Sequence, residues 1–145
     1  MAKLEKTLTI DGREICFRAS GLTPIVYNRL FRGRDYFRDL ELLQNLEAFN
    51  DIEEEEEKTS FPLTVDDYDQ FMRICFCMAY QGLGKGVASP EHKAFLDEYP
   101  DMYAWIDSFG SFDMVSILGD VIELWAGNAE TVVKTKNAHP APPVK

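Results

Sequence analysis

Few residues in this chain have the types and spacing that chemistry needs. Cys75-Phe76-Cys77 is the nearest thing to a thiol pair. On a helix two such side chains point about 200° apart, and no second Cys or His pair accompanies them to complete a metal site. His92 follows Glu91 without a zinc-binding spacing and falls on an expected helix first turn, where it should be exposed. His139 lies near the C-terminal end. The stretch from Gly82 to Gly86 sets Lys85 among glycines, but it lacks the four-residue spacer and the Ser or Thr after the lysine. It also follows a helix rather than a strand, so it is not a phosphate loop. The sequence therefore predicts no catalytic residue, no metal site and no cofactor, and a protein that binds rather than turns over a substrate.

Two charged clusters remain as candidates for binding. Arg29, Arg32, Arg34 and Arg38 surround Gly33 and form the one basic patch in a chain of net charge -10. They are expected either to contact an acidic neighbour or to form salt bridges within the chain. Glu53 to Glu57 is an unbroken acidic run, expected to be a solvated loop, with an acidic hook for a basic partner as its functional alternative. So acidic a chain does not wrap nucleic acid, which requires concentrated Lys and Arg to release counterions.

The elements that must position these residues read clearly. Hydrophobic residues make up 46% of 145, enough for one domain with a real core. No apolar run reaches the roughly 18 residues of a membrane span, and the N-terminus lacks the apolar centre of a signal peptide. Three cysteines, an odd number, read as free thiols of a reducing cytoplasm.

Residues 4 to 19 predict a β-hairpin turning at Asp11-Gly12. That register sets Leu8 opposite Ile15 and Lys6 opposite Phe17, with Leu4, Leu8, Ile10, Ile15 and Phe17 on one face. Glu5, Thr7, Thr9, Glu14, Cys16 and Arg18 form the wetter face. Thr23-Pro24 starts a helix, Thr as cap and Pro in the first turn. Gly33 interrupts it, and the apolar pattern resumes from Tyr36 to Leu46.

Thr64 caps a helix running to about Gln81 that is apolar nearly all round, the mark of a central buried helix. Ser89-Pro90 opens another helix, and Asp101 caps a short one reaching Phe109. From Phe112 to Ala126 the polar or small positions Asp113, Ser116, Asp120 and Glu123 fall three or four apart. This is an amphipathic helix with a wide apolar face. From 131 to 145 the chain reads as a disordered polar tail. The expected architecture is mainly α: a helical domain over 1–130 with about five helices, an N-terminal hairpin and that tail.

Three segments taken together carry a resemblance. The first is the hairpin with Asp11-Gly12. The second is Thr23-Pro24 followed by Tyr27, Arg29, Leu30, Phe31, Gly33, Arg34 and Asp35. The third comprises Trp105, Asp107, Phe109, Phe112, Leu118, Ile122, Leu124, Trp125 and Asn128. Their order and spacing resemble the tail assembly chaperones of long-tailed (siphovirus-type) phages and prophages of Gram-positive bacteria. Arg32, inserted between Phe31 and Gly33, departs from the pattern.

The resemblance implies an assembly chaperone that coats the aggregation-prone tape measure protein and helps recruit tail tube protein subunits. Such a chaperone leaves before the tail is complete. It also implies self-association, and residence in the cytoplasm of the bacterial host rather than in the mature virion. Arg29, Phe31, Arg34, Asp35, Trp105, Phe109 and Trp125 are its partner-binding candidates; the three last are expected to be core, with a client groove beside them as the functional reading. The rival is an acidic DNA mimic that inhibits a nucleic-acid-binding protein through Asp35, Asp39, Glu41, Glu47, Asp51 and the glutamate run. A small structural adaptor is the third reading.

Overall fold

A computed structural model describes residues 4–110 and 114–138. The hairpin forms as its turn chemistry requires. Strands β1 (Leu4–Ile10) and β2 (Arg13–Ala19) pair antiparallel, with Leu8 opposite Ile15 and Lys6 opposite Phe17. Asp11 and Gly12 adopt φ of 53° and 78°, the conformation of a two-residue turn that follows the strand twist.

Ile10 and Phe17 are buried on the predicted inner face, with Leu8 and Ile15 half-buried. The opposite face is less wet than expected at β2. Arg18 reaches the backbone carbonyls of Gln81 (3.2 Å) and Gly84 (3.0 Å), so the end of the central helix covers Cys16 and Arg18. β1 lies on the last helix, and β2 lies on both the central and last helices.

Helix α1 (Thr23–Leu30) has Pro24 in its first turn, but Thr23 does not cap it. Leu22 occupies the cap position. Thr23 is buried instead, and its hydroxyl donates to Gln81 Oε1 at 2.6 Å. A buried amide demands a partner, and that demand outweighs a cap that water could replace. Gly33, at φ of 82°, breaks the chain between α1 and α2 (Tyr36–Asp39). A 3₁₀ turn over Leu40–Leu42 leads into α3 (Leu43–Asp51).

The glutamate run is not the loop expected of it. Helix α4 spans Glu55–Ser60 with three acids in its first turn, where glutamate complements the helix dipole. Its side chains remain largely exposed. Helix α5 (Val65–Gln81) has Thr64 and Asp67 exchanging bonds in a capping box, and every residue from Gln70 to Gln81 is buried. This is the predicted central helix. Ser89 caps α6 (Pro90–Glu98), and Asp101 caps α7 (Met102–Asp107).

Helix α8 runs from Met114 to Ala138, past the point near 130 where the polar tail was expected to begin. The remaining tail, 139–145, and residues 111–113, with the expected helix start at Phe112, lie outside the described residues. Among the described residues, five helices reach eight residues or more, gathered around α5 with the hairpin at one side. No helix there is long and apolar enough to cross a membrane.

Candidate functional site

The two segments that carry the family resemblance lie far apart in sequence and meet in space. Tyr27 on α1 is fully buried, and its ring stands 5.7 Å from that of Trp125 on α8. Tyr36, just past the Gly33 break, stands 5.3 Å from the same indole. Asn128 lies one turn beyond Trp125, buried beside the Tyr36 hydroxyl. Neither the Tyr36 Oη nor the Asn128 Nδ2 finds a hydrogen-bond partner of full geometry. Aromatic rings 4.5–7 Å apart at tilted angles add about 0.5–1.5 kcal/mol per pair beyond their burial, so Trp125 ties the two segments into one unit.

The turn between α1 and α2 is held by its own polar groups. The Asn28 side chain donates to the Arg34 carbonyl at 3.0 Å. Asp35 caps α2, accepting from the Phe37 and Arg38 backbone N–H at 2.9 and 3.4 Å. Arg34 Nε donates to Asp39 Oδ2 at 2.7 Å, and the Tyr27 hydroxyl donates to the same oxygen at 2.6 Å. Burial, then the bond to Asp39, pushes the Tyr27 hydroxyl up to about 12. Burial likewise pushes Tyr36 up to about 12.

Beneath this turn the network continues into α5. The Gln70 side chain lies 3.3 Å from the Tyr27 hydroxyl and accepts from Arg73 Nε at 2.8 Å. Arg73 also donates to Asp69 at 2.7 Å, and the Tyr103 hydroxyl of α7 donates to Asp69 at 3.3 Å. A polar chain thus runs from the α1–α2 turn across the central helix to α7. Such a network specifies one arrangement because each unpaired member would be costly to bury. Gln70, Arg73 and Asp39 were not singled out from the sequence. The available signal was the pair of polar residues three apart inside an otherwise apolar helix.

The seven candidate residues divide accordingly. Arg29 is exposed, and Phe31 is half-buried between Tyr27 (5.2 Å) and Phe76 (6.2 Å). Arg34 and Asp35 are engaged within the chain as described. Trp105, Phe109 and Trp125 are core residues at 2%, 7% and 2% exposure. Trp105 and Phe109 sit apart from Trp125, under the hairpin turn. There Arg13 stacks over Phe109 at 3.7 Å, and Gly110 N–H donates to Asp11 at 2.6 Å. Phe76 links Phe31 to Trp105 through the core. The rings offered as a client groove are therefore consumed internally. The mimic reading loses acids in the same way, since Asp35 caps a helix and Asp39 pairs with Arg34 and Tyr27.

His92 was expected on an exposed turn and is instead fully buried. Its Nδ1 lies 2.7 Å from Ser89 Oγ as part of the helix cap, and its ring packs 4.5 Å from Tyr80. Burial lowers its pKa. Cys75 and Cys77 are buried, and burial pushes both thiols up, away from the reactive thiolate. Among the described residues no group of three His, Cys, Asp or Glu is placed to hold a metal ion. Compared with known protein families, with curated proteins and with solved structures, the chain shows no match.

Proposed function

We propose that the chain is a tail assembly chaperone of a long-tailed phage or prophage. In this reading it binds the tape measure protein, keeps it soluble in the host cytoplasm, helps recruit tail tube subunits and departs before the virion is mature. The observation that carries the reading is the packing of Tyr27, Tyr36, Trp125 and Asn128 into one cluster. Resemblance at two ends of a chain by chance gives no reason for those ends to touch. Two parts of one signature do.

The physical character of the surface supports the same reading. The net charge of -10 favours solubility at high copy number. With the tryptophans buried, client contact falls to apolar side chains that remain outside. Val65 (83% exposed) and Tyr68 (36%) stand one turn apart on α5, the spacing that meets one face of a client helix. The test is co-expression with the tape measure protein of the same genome. Recovery of that protein in the soluble fraction, lost in Val65→Glu/Tyr68→Glu with folding intact, supports the proposal. An insoluble client with the wild-type chain present overturns it.

A further inference from the structure

We propose that the arginine-lined cleft between the α1–α2 turn and the start of α7 receives helix α4 of a second copy of this chain, joining copies head to tail. The cleft is about 270 Å³ and is lined by Phe31, Arg32, Arg34, Arg73 and Tyr103, with Asp101 as its one acid. Asp101 is already occupied, accepting from the Ala104 N–H at 2.9 Å as the cap of α7. Arg34 and Arg73 are positioned by Asp39 and Asp69. Arg32 is exposed, has no ion pair within the described residues, and stands at the rim with Arg29 and Arg38 in the same state. The cleft therefore combines an aromatic wall with guanidinium groups that match a carboxylate in planar, two-point fashion.

The complement is on the same chain but out of its own reach. Glu53, Glu54, Glu56 and Glu57 are exposed and have no ion pair within the described residues. The neighbouring cation, Lys58, lies 5.3 Å over the Phe49 ring. The nine residues of α3 stand between the arginine turn and α4, about 13 Å of helix. One copy thus presents an arginine cleft and, at a distance, a glutamate helix. Copies with a charge of -10 repel in most orientations, so this juxtaposition selects one register. Because the two surfaces differ, the contact is heterologous and repeats along a row or closes into a ring. The proposal deepens the self-association within the chaperone reading, yet its test needs no client, so each fails separately.

The experiment is sedimentation velocity on the full chain from micromolar to near-millimolar concentration at low and high salt. Wild type is expected to associate at low salt and dissociate at high salt, as screening removes the attraction. Arg29→Glu/Arg32→Glu and Glu54→Arg/Glu56→Arg each reverse one surface at exposed, unpaired sites. Each variant alone should raise the apparent dissociation constant about tenfold or more. Mixed together, the two should associate again, because each then offers the charge the other needs. Far-UV circular dichroism verifies folding, and the neutral Glu54→Gln/Glu56→Gln variant replaces the second if that one misfolds. A wild type that stays monomeric throughout, a reversed variant that associates like wild type, or a mixture that stays monomeric overturns the proposal.

Discussion

Gly82→Ala sets two effects of opposite sign against each other. Gly82 sits at the end of α5 with φ of -70° and ψ of -10°, an ordinary right-handed conformation. Alanine fits that backbone, and the loss of unfolded-state freedom alone would stabilise the protein by about 0.4–1 kcal/mol. The space does not permit it. A methyl group on Gly82 would fall inside the Cys16 carbonyl oxygen of β2, with the Cys16 carbonyl carbon at 2.7 Å and its Cβ at 3.1 Å. The obstruction is backbone in a paired strand whose neighbours Phe17 and Ala19 are buried, so it cannot rotate away.

Relief requires β2 to move off α5, and overpacking of this kind costs about 1–3 kcal/mol. Sterics win, and the net loss should be about 1–2 kcal/mol. At this chain length each kcal/mol lowers the melting temperature by about 2–4 °C. Gly21→Ala is the control, since nothing lies within 4 Å of a methyl group there. Thermal and urea unfolding followed by circular dichroism read both variants. A Gly82→Ala chain as stable as wild type would refute the close seating of the hairpin on the central helix.

Trp125→Ala should cost about 3–5 kcal/mol in urea unfolding, because the indole is 2% exposed and joins Tyr27 to Tyr36; a loss under about 1 kcal/mol would remove it from the core. Tyr27→Phe leaves Asp39, 8% exposed, with Arg34 as its remaining partner, and should cost about 1–3 kcal/mol by the same measurement. Tyr27 and Tyr36 titrate near pH 12 when folded, against an ordinary value of 10.0. Folding thus favours their neutral forms, so their contribution is whole below pH 10 and disappears as pH rises through 12. The loss is about 2–3 kcal/mol per tyrosine. Melting temperatures between these pH values should fall steeply in wild type and less steeply in Tyr36→Phe; parallel curves would contradict the burial of that hydroxyl.

What could be read from the sequence is what local chemistry decides. Asp11-Gly12 set the hairpin register because only that turn satisfies both residues at positive φ. Thr64, Ser89 and Asp101 marked helix starts because their side chains bond to N–H groups three residues on. Gly33 marked a break for the same local reason. The misread features depend on distant partners. Thr23 looked like a cap, but Gln81 claims its hydroxyl from the far end of α5. His92 looked exposed from its place on a first turn, but Tyr80 covers it. The glutamate run looked like a loop because like charges repel, whereas its helix propensity and dipole favour α4. Within the candidate site, the Arg29–Asp35 segment was legible as a unit. Its linkage through Asp39, Tyr27 and Gln70 to Arg73 was not, because no local pattern says which buried polar groups will find each other.

The most direct test of the chaperone reading remains the client. The tape measure protein is expressed with and without this chain, the soluble fraction is measured after centrifugation, and the complex is captured at low and high salt. The account predicts a soluble client held in a complex that survives high salt, since apolar contact and not charge carries the binding. A client that stays insoluble, with no complex captured at either salt, would contradict it.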